Sequence, residues 1–192
     1  MELSGQSDIL SYIVNQFDIY HIPYLLTGSI AVAGYGYPRT THDIDFILEI
    51  NPQNQNAVTL FLKNLDKSFI TDNLPLSSSL TNSLITLLHI STGIKIDLWV
   101  LDKKDDFEES KFARGKKSKI NGMDITQAAA EDIIITKLKW CKKIRSERHL
   151  TDCAGILAIQ EKLDMKYLKK WIKKLGLSKV WKDVQKIKPQ TN

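Results

Sequence analysis

Cysteine is nearly missing from this chain, two residues in 192, and neither stands in a Cys-x-x-Cys or Cys/His spacing. That excludes a disulfide framework and a finger-type zinc site. Cys141 and Cys153 fall in helix-like stretches and are expected to be buried, reduced thiols. Long apolar runs are missing as well. No stretch approaches the roughly 18 residues that cross a bilayer, and residues 1–7 are polar apart from Leu3, unlike a secretion signal. A cytoplasmic protein with no membrane association is expected. The histidines, His21, His42, His89 and His149, are few and scattered. His42 adjoins Asp43 but would point to the opposite face of a strand, so it is expected to pack or cap rather than to ligate.

What remains is an ordinary globular composition, 26% charged and 43% hydrophobic, in a chain long enough for one packed domain or for a domain with a helical appendage. The informative stretch is residues 25–49, LLTGSIAVAGYGYPRTTHDIDFILE. Over residues 44–48 every second residue is apolar. Ile44, Phe46 and Leu48 can therefore face a core while Asp43 and Asp45 project together from the other face of a strand. Two carboxylates that close repel, and they stay ionised at low cost only beside cations or donors. Magnesium, which takes one or two carboxylates together with waters and phosphate oxygens, suits the pair better than a soft metal does. A solvated strand edge is the plainer alternative.

Two neighbouring features strengthen the metal reading. Tyr24, Leu25 and Leu26 read as a short buried strand, residues 27–29 as a tight turn and residues 30–33 as the opening of a helix. Backbone N–H groups at such a start attract phosphate; Gly28 permits close approach and Ser29 can donate its hydroxyl. Downstream, Ile94, Ile96, Leu98 and Val100 alternate with Lys95, Asp97 and Trp99, which puts Asp97 on the polar face of a half-buried strand. The apolar run at residues 83–91 joins that strand through Thr92-Gly93 as a hairpin, able to set Asp97 beside the first pair. Three aspartates on adjacent strands above a Gly-Ser turn describe a two-metal phosphoryl-transfer site.

Gly28-Ser29, thirteen intervening residues and Asp43-Ile44-Asp45, with Gly36, Arg39 and Thr40 just before the pair, resemble the nucleotidyltransferase superfamily related to DNA polymerase β. The spelling GSIAVAGYGYPRTTHDIDF is most similar to small bacterial members: minimal nucleotidyltransferases, aminoglycoside and lincosamide nucleotidyltransferases, and toxins of the abortive-infection type. The resemblance covers residues 24–100 and, more loosely, 128–157. It implies an α/β (α+β) fold, a mixed-sheet nucleotidyltransferase core with C-terminal helices. It also implies metal ligation and catalysis by Asp43, Asp45 and Asp97, with two Mg²⁺ ions or Mn²⁺ in their place. A nucleoside triphosphate would be held by Gly28, Ser29, Arg39 and Lys137. Some small relatives complete their clefts by dimerising, which leaves a homodimer open.

The remaining pattern is mixed. Ser7 reads as the cap of a helix carrying Ile9, Leu10, Ile13, Val14 and Phe17, and Asn51-Pro52 as the start of another carrying Val58, Leu60, Phe61, Leu62 and Leu65. A short strand is expected near residues 68–71, a short helix over residues 107–113 and an Asn121-Gly122 hairpin after it. Lys111, Arg114, Lys116, Lys117 and Lys119 form a basic run that either borders a cleft or is solvated. Residues 128–144 form a helix in which Lys137 falls in the apolar stripe. There it must snorkel, find an acidic partner or serve an anionic ligand. The resemblance implies that Lys137 approaches nucleotide phosphates and that Asp152 orders the helix pair; Asp152 also reads as a plain helix N-terminal acid.

A division into a catalytic region, residues 1–125, and a helical region, residues 126–192, is expected. Residues 162–188 hold ten lysines against two aspartates, a balance of +8; in a chain of +5 the rest therefore carries −3. Two amphipathic helices with Leu168, Trp171, Ile172 and Leu175, then Val180, Trp181 and Val184, would present those lysines, either to an RNA or tRNA backbone or to water. The expected activity is metal-dependent transfer of a nucleoside monophosphate from a triphosphate to a hydroxyl of RNA, protein or a small molecule. The alternatives are a non-catalytic nucleotide-binding regulator and an RNA-binding toxin–antitoxin component.

Overall fold

The computed structural model describes residues 3–37, 40–71 and 84–187. Its first half alternates helix and strand: α1 (Gln6–Ile19), β1 (Tyr24–Thr27), α2 (Gly28–Gly34), β2 (Asp43–Leu48), α3 (Gln55–Lys63), β3 (Phe69–Thr71), β4 (Leu84–His89) and β5 (Lys95–Val100). Then come α4 (Asp106–Ala113), β6 (Lys116–Ile120), β7 (Met123–Gln127) and the helices α5 (Ala130–Lys143), α6 (Glu147–Ile159), α7 (Met165–Lys174) and α8 (Ser178–Val184). The strands form one mixed sheet in the order β3-β4-β5-β2-β1-β7-β6, with β2–β5 and β1–β7 parallel. This is the mixed α/β architecture expected. Strand β7 crosses residue 125, so both expected regions contribute to one sheet.

The alternation in β2 sorts its side chains between two layers. Phe46 packs edge-on against Phe17 of α1 at 5.1 Å between centroids, and Phe17 in turn meets Phe61 of α3 at 5.3 Å. Phe17, Phe46 and Phe61 are fully buried, and rings of this size dominate the apolar area removed from water on that face. Asp45, one residue earlier, points to the opposite face, over which α4, α5 and α6 build a cleft.

The turns follow their chemistry. Asn121 and Gly122 take φ of 51° and 81°, the left-handed pair that closes a two-residue hairpin between β6 and β7. Helix α1 begins one residue before Ser7, which lies inside it; Asp8 instead accepts bonds from the N–H and hydroxyl of Ser4. Helix α3 begins at Gln55 rather than at Pro52, because Asn51 Oδ1 accepts the N–H groups of Gln53 and Asn54 and holds the chain in a turn. Leu60, expected on the apolar face of that helix, is 51% exposed.

The C-terminal helices lock onto the core through charge. Arg114, expected in a basic run that borders a cleft or is solvated, turns inward instead: its Nε and Nη2 bond Asp132 and Glu131 at 3.0 and 3.1 Å, and its guanidinium stacks 3.8 Å above Tyr167. Tyr167 donates to Asp132 at 2.6 Å, which ties α4, α5 and α7 together. The described lysines of α7 and α8 all face water, whereas Leu168, Trp171, Ile172 and Val184 are buried. Both cysteines are buried free thiols, and His42, expected to pack or cap, is exposed. Among the described residues, no helix is long and apolar enough to cross a membrane.

Candidate functional site

Strand pairing decides which carboxylates meet. Strands β2 and β5 run parallel and in register, with Asp45 opposite Asp97 and Asp43 opposite Lys95. Paired positions share a face, so the three aspartates and Lys95 form one patch. Exposure falls across it: Asp43 is open, Asp45 half-buried and Asp97 6% exposed. Burial pushes the Asp45 carboxyl above the usual carboxylate range, and the charges of Asp97 and Asp43 push it further against an opposing bond from the Trp99 side chain. Asp97 is held from two sides: Thr86 Oγ1 donates to Oδ1 at 2.9 Å, and Lys95 Nζ lies 2.8 Å from Oδ2. The bond to Asp97 raises Lys95 above the ordinary lysine range in spite of partial burial, with Asp43 and Asp45 adding to the effect.

Among the described residues, no three His, Cys, Asp or Glu side chains are gathered as a metal-binding group. Asp97 is engaged by Lys95 and Thr86 instead. The chemistry of the patch nonetheless fits a hard divalent cation, because its acidic groups are all carboxylates and their mutual repulsion is incompletely neutralised at Asp45.

Beside the patch, β1 pairs with β2 so that Thr27 lies opposite Asp45, and the chain turns into α2 at Gly28. Gly28 has φ of 69°, and a Cβ there would collide with the Asp45 carboxylate. A side chain at this position would displace that carboxylate, so the turn and the aspartate share one small space. Gly28 and Ser29 line the cleft together with Asp45.

The cleft has a volume of about 510 Å³. Its floor is Thr27, Gly28, Ser29, Asp45 and Ile47; its helical wall includes Lys111, Ile133, Thr136, Lys137 and Trp140; its rim carries Trp99, Asp102, Asp105 and Glu108. Lys137, one of the residues expected to meet a nucleotide, therefore reaches the cleft. It also has the acidic partner that its position called for, since its Nζ lies 2.7 Å from Asp152 Oδ2 with the two side chains 6% and 2% exposed. Arg39 lies outside the described residues. The segment leading to Asp43 is tied to α6, where Arg148 donates to the Thr40 carbonyl at 3.0 Å and Gln160 to that of Tyr35 at 2.9 Å.

Several residues of the patch and the cleft did not stand out from the sequence as site residues. Lys95 and Trp99 share the period-2 face of Asp97, so alternation carried a signal for them. Asp105 and Glu108 carried a weaker one, beside Lys111 of the expected basic run: Asp105 caps α4 through the N–H groups of Phe107 and Glu108, which brings Glu108 to Lys111 at 2.5 Å and to Lys139 at 3.0 Å. Lys111 is 2% exposed, and burial lowers its pKa against the attraction of Glu108.

No family model matches the chain, and no curated protein matches it in sequence. Solved structures do. The fold is similar to that of ANT(2")-Ia in complex with adenylyl-2"-tobramycin, at 11% identity, a TM-score of 0.65, and coverage of 92% of this chain and 99% of that one. An antigenic nucleotidyltransferase-like protein from Paracoccidioides brasiliensis matches at 15% identity and a TM-score of 0.59, over 95% and 93% of the two chains. Lincomycin-bound LnuA, a lincosamide antibiotic adenylyltransferase, matches at 15% and 0.53, over 83% and 100%. These likenesses give the chain a nucleotidyltransferase fold, as its resemblance implied.

Proposed function

From that fold, we propose that the protein is a metal-dependent nucleotidyltransferase that moves a nucleoside monophosphate from a triphosphate to the hydroxyl of a small, amine-bearing acceptor. The observation that carries this reading is the in-register placement of Asp97 beside Asp45, which itself lines a cleft with Gly28, Ser29 and Lys137. Asp43, Asp45 and Asp97 would hold Mg²⁺, or Mn²⁺ in its place, which neutralises the triphosphate and makes its α-phosphorus more electrophilic. Gly28 and Ser29 bind the β- and γ-phosphates at the turn, and Lys137 adds positive charge from the opposite wall. Asp97 takes the proton of the acceptor hydroxyl as its oxygen bonds to the α-phosphorus and the bond to pyrophosphate breaks.

Charge supports a small cationic acceptor over RNA. Asp102, Asp105 and Glu108 rim the cleft beside Trp99 and Trp140; of the lysines that line it, Lys111 and Lys137 are paired with Glu108 and Asp152 and Lys143 stacks over Trp140, and among the described residues no lysine of α7 or α8 lines it. A polyanion would meet carboxylates there, whereas an amine-bearing polyol would meet complementary charge and aromatic faces. The tobramycin adduct of ANT(2")-Ia and the lincomycin bound to LnuA belong to that chemical class. RNA remains the second reading because the described lysines of residues 162–188 are all exposed.

The test supplies each α-labelled nucleoside triphosphate with Mg²⁺ and either a panel of aminated sugars or total RNA. Label is expected on an aminated sugar, and Asp45→Asn should cut the rate at least about a hundredfold while remaining folded. Label on RNA alone would favour the second reading. Triphosphate binding without transfer to any acceptor would favour a non-catalytic regulator.

A further inference from the structure

Lys95 occupies an unusual position for a cation. It shares the face of β5 with Asp97 and pairs across the sheet with Asp43, so it stands within the carboxylate patch rather than at its border. Its ammonium lies 2.8 Å from Asp97 Oδ2, with the lysine side chain 42% exposed and the aspartate 8%. Such a contact holds the buried partner firmly in one orientation, yet the lysine can leave at little cost, because its charge and flexible stem already reach water.

A divalent ion entering the patch needs the same oxygen. Asp97 has two, and Thr86 already donates to the other at 2.9 Å. Full ligation by the trio therefore requires that Lys95 give up Asp97, and the lysine's positive charge beside Asp43 opposes any incoming cation.

We propose that Lys95 is the resident counter-cation of Asp43, Asp45 and Asp97, which a divalent metal must displace from Asp97 before that carboxylate can ligate. The lysine holds Asp97 aimed while the site is free of metal, and it raises the metal concentration needed to fill the trio. Metal that arrives with a triphosphate brings compensating negative charge for the released ammonium. Occupancy is thereby coupled to the nucleotide. This inference rests on the metal-dependent reading above and concerns a residue which that reading does not use.

The experiment is a Mn²⁺ titration of the full chain, with free Mn²⁺ followed by electron paramagnetic resonance, in the presence and absence of a non-hydrolysable triphosphate. Wild type, Lys95→Met, Lys95→Arg and the Asp97→Asn versions of wild type and Lys95→Met are compared. Removing the charge should tighten Mn²⁺ binding about tenfold without nucleotide, and less with it, as expected for loss of one like charge at close range. Lys95→Arg should stay near wild type. In the Asp97→Asn background the gain from Lys95→Met should shrink, since the effect acts through that carboxylate. Equal or weaker Mn²⁺ binding by Lys95→Met, with wild type binding measurably, would overturn the role of Lys95 and leave metal dependence standing. Absence of Mn²⁺ binding in every variant, even with nucleotide, would overturn both.

Discussion

Two lysines of this protein each hold an aspartate at nearly the same distance, 2.8 Å for Lys95–Asp97 and 2.7 Å for Lys137–Asp152, yet the pairs differ in kind. Lys95 is 42% exposed, whereas the Lys137 and Asp152 side chains are 6% and 2% exposed. In water an ammonium and a carboxylate gain little from meeting, and side-chain entropy opposes the contact. Between helices, each charge has lost its hydration and depends on the other. Equal distances thus give an exchangeable latch on the sheet and a fixed brace between α5 and α6. The brace also supports the site. Helix α6 carries Arg148 and is followed at its C-terminus by Gln160, and the two hold the carbonyls of Thr40 and Tyr35 ahead of Asp43.

Breaking the brace should have the largest effect. Lys137→Met takes the ammonium away from a buried carboxylate and is expected to cost about 3–5 kcal/mol in urea unfolding, with a large part recovered in Lys137→Met/Asp152→Asn. Full stability of the single variant would show that water reaches the pair and that the contrast fails.

Lys111 sharpens the contrast from a third position, being buried like Lys137 while its partner Glu108 is 23% exposed. Burial lowers its pKa below 10.5 in the folded chain. Between that lowered value and 10.5 the unfolded chain binds more protons, so the folded state gains stability as pH rises through the window. Urea midpoints at neutral pH and just below 10.5 should therefore show a gain in wild type that Lys111→Met lacks. An identical pH slope in the two proteins would place the Lys111 ammonium in contact with solvent. The smallest change is expected for Lys95→Met, within about 1 kcal/mol of wild type in the absence of metal. A loss as large as that of Lys137→Met would make Lys95 a structural residue and remove the latch.

Much of this organisation is legible in the sequence because it is periodic. The alternation of Ile44, Phe46 and Leu48 against Asp43 and Asp45 needs only the pleat of a strand, and the left-handed φ of Gly28, Asn121 and Gly122 sits where short turns demand it. The hairpin through Gly93 likewise delivers β5 next to β4. Capping detail was less legible. An Asx turn at Asn51 delays α3, and Ser7 does not cap α1, because several polar residues compete for the same backbone N–H groups within a few positions.

The sequence by itself determined that Asp43 and Asp45 would share a strand face near a glycine turn and that Asp97 would lie on the polar face of another strand, since both follow from local periodicity and turn chemistry. Only the tertiary structure decided what those groups meet. The parallel register of β2 and β5 put Lys95 beside Asp43 and Asp45 beside Asp97. Helix packing gave Lys137 to Asp152, and α4 brought Glu108 and Lys111 to the cleft. Partners distant in sequence are chosen by strand register and helix crossing, which no local spacing encodes, and burial then decides whether an ion pair of a given length can exchange or must persist.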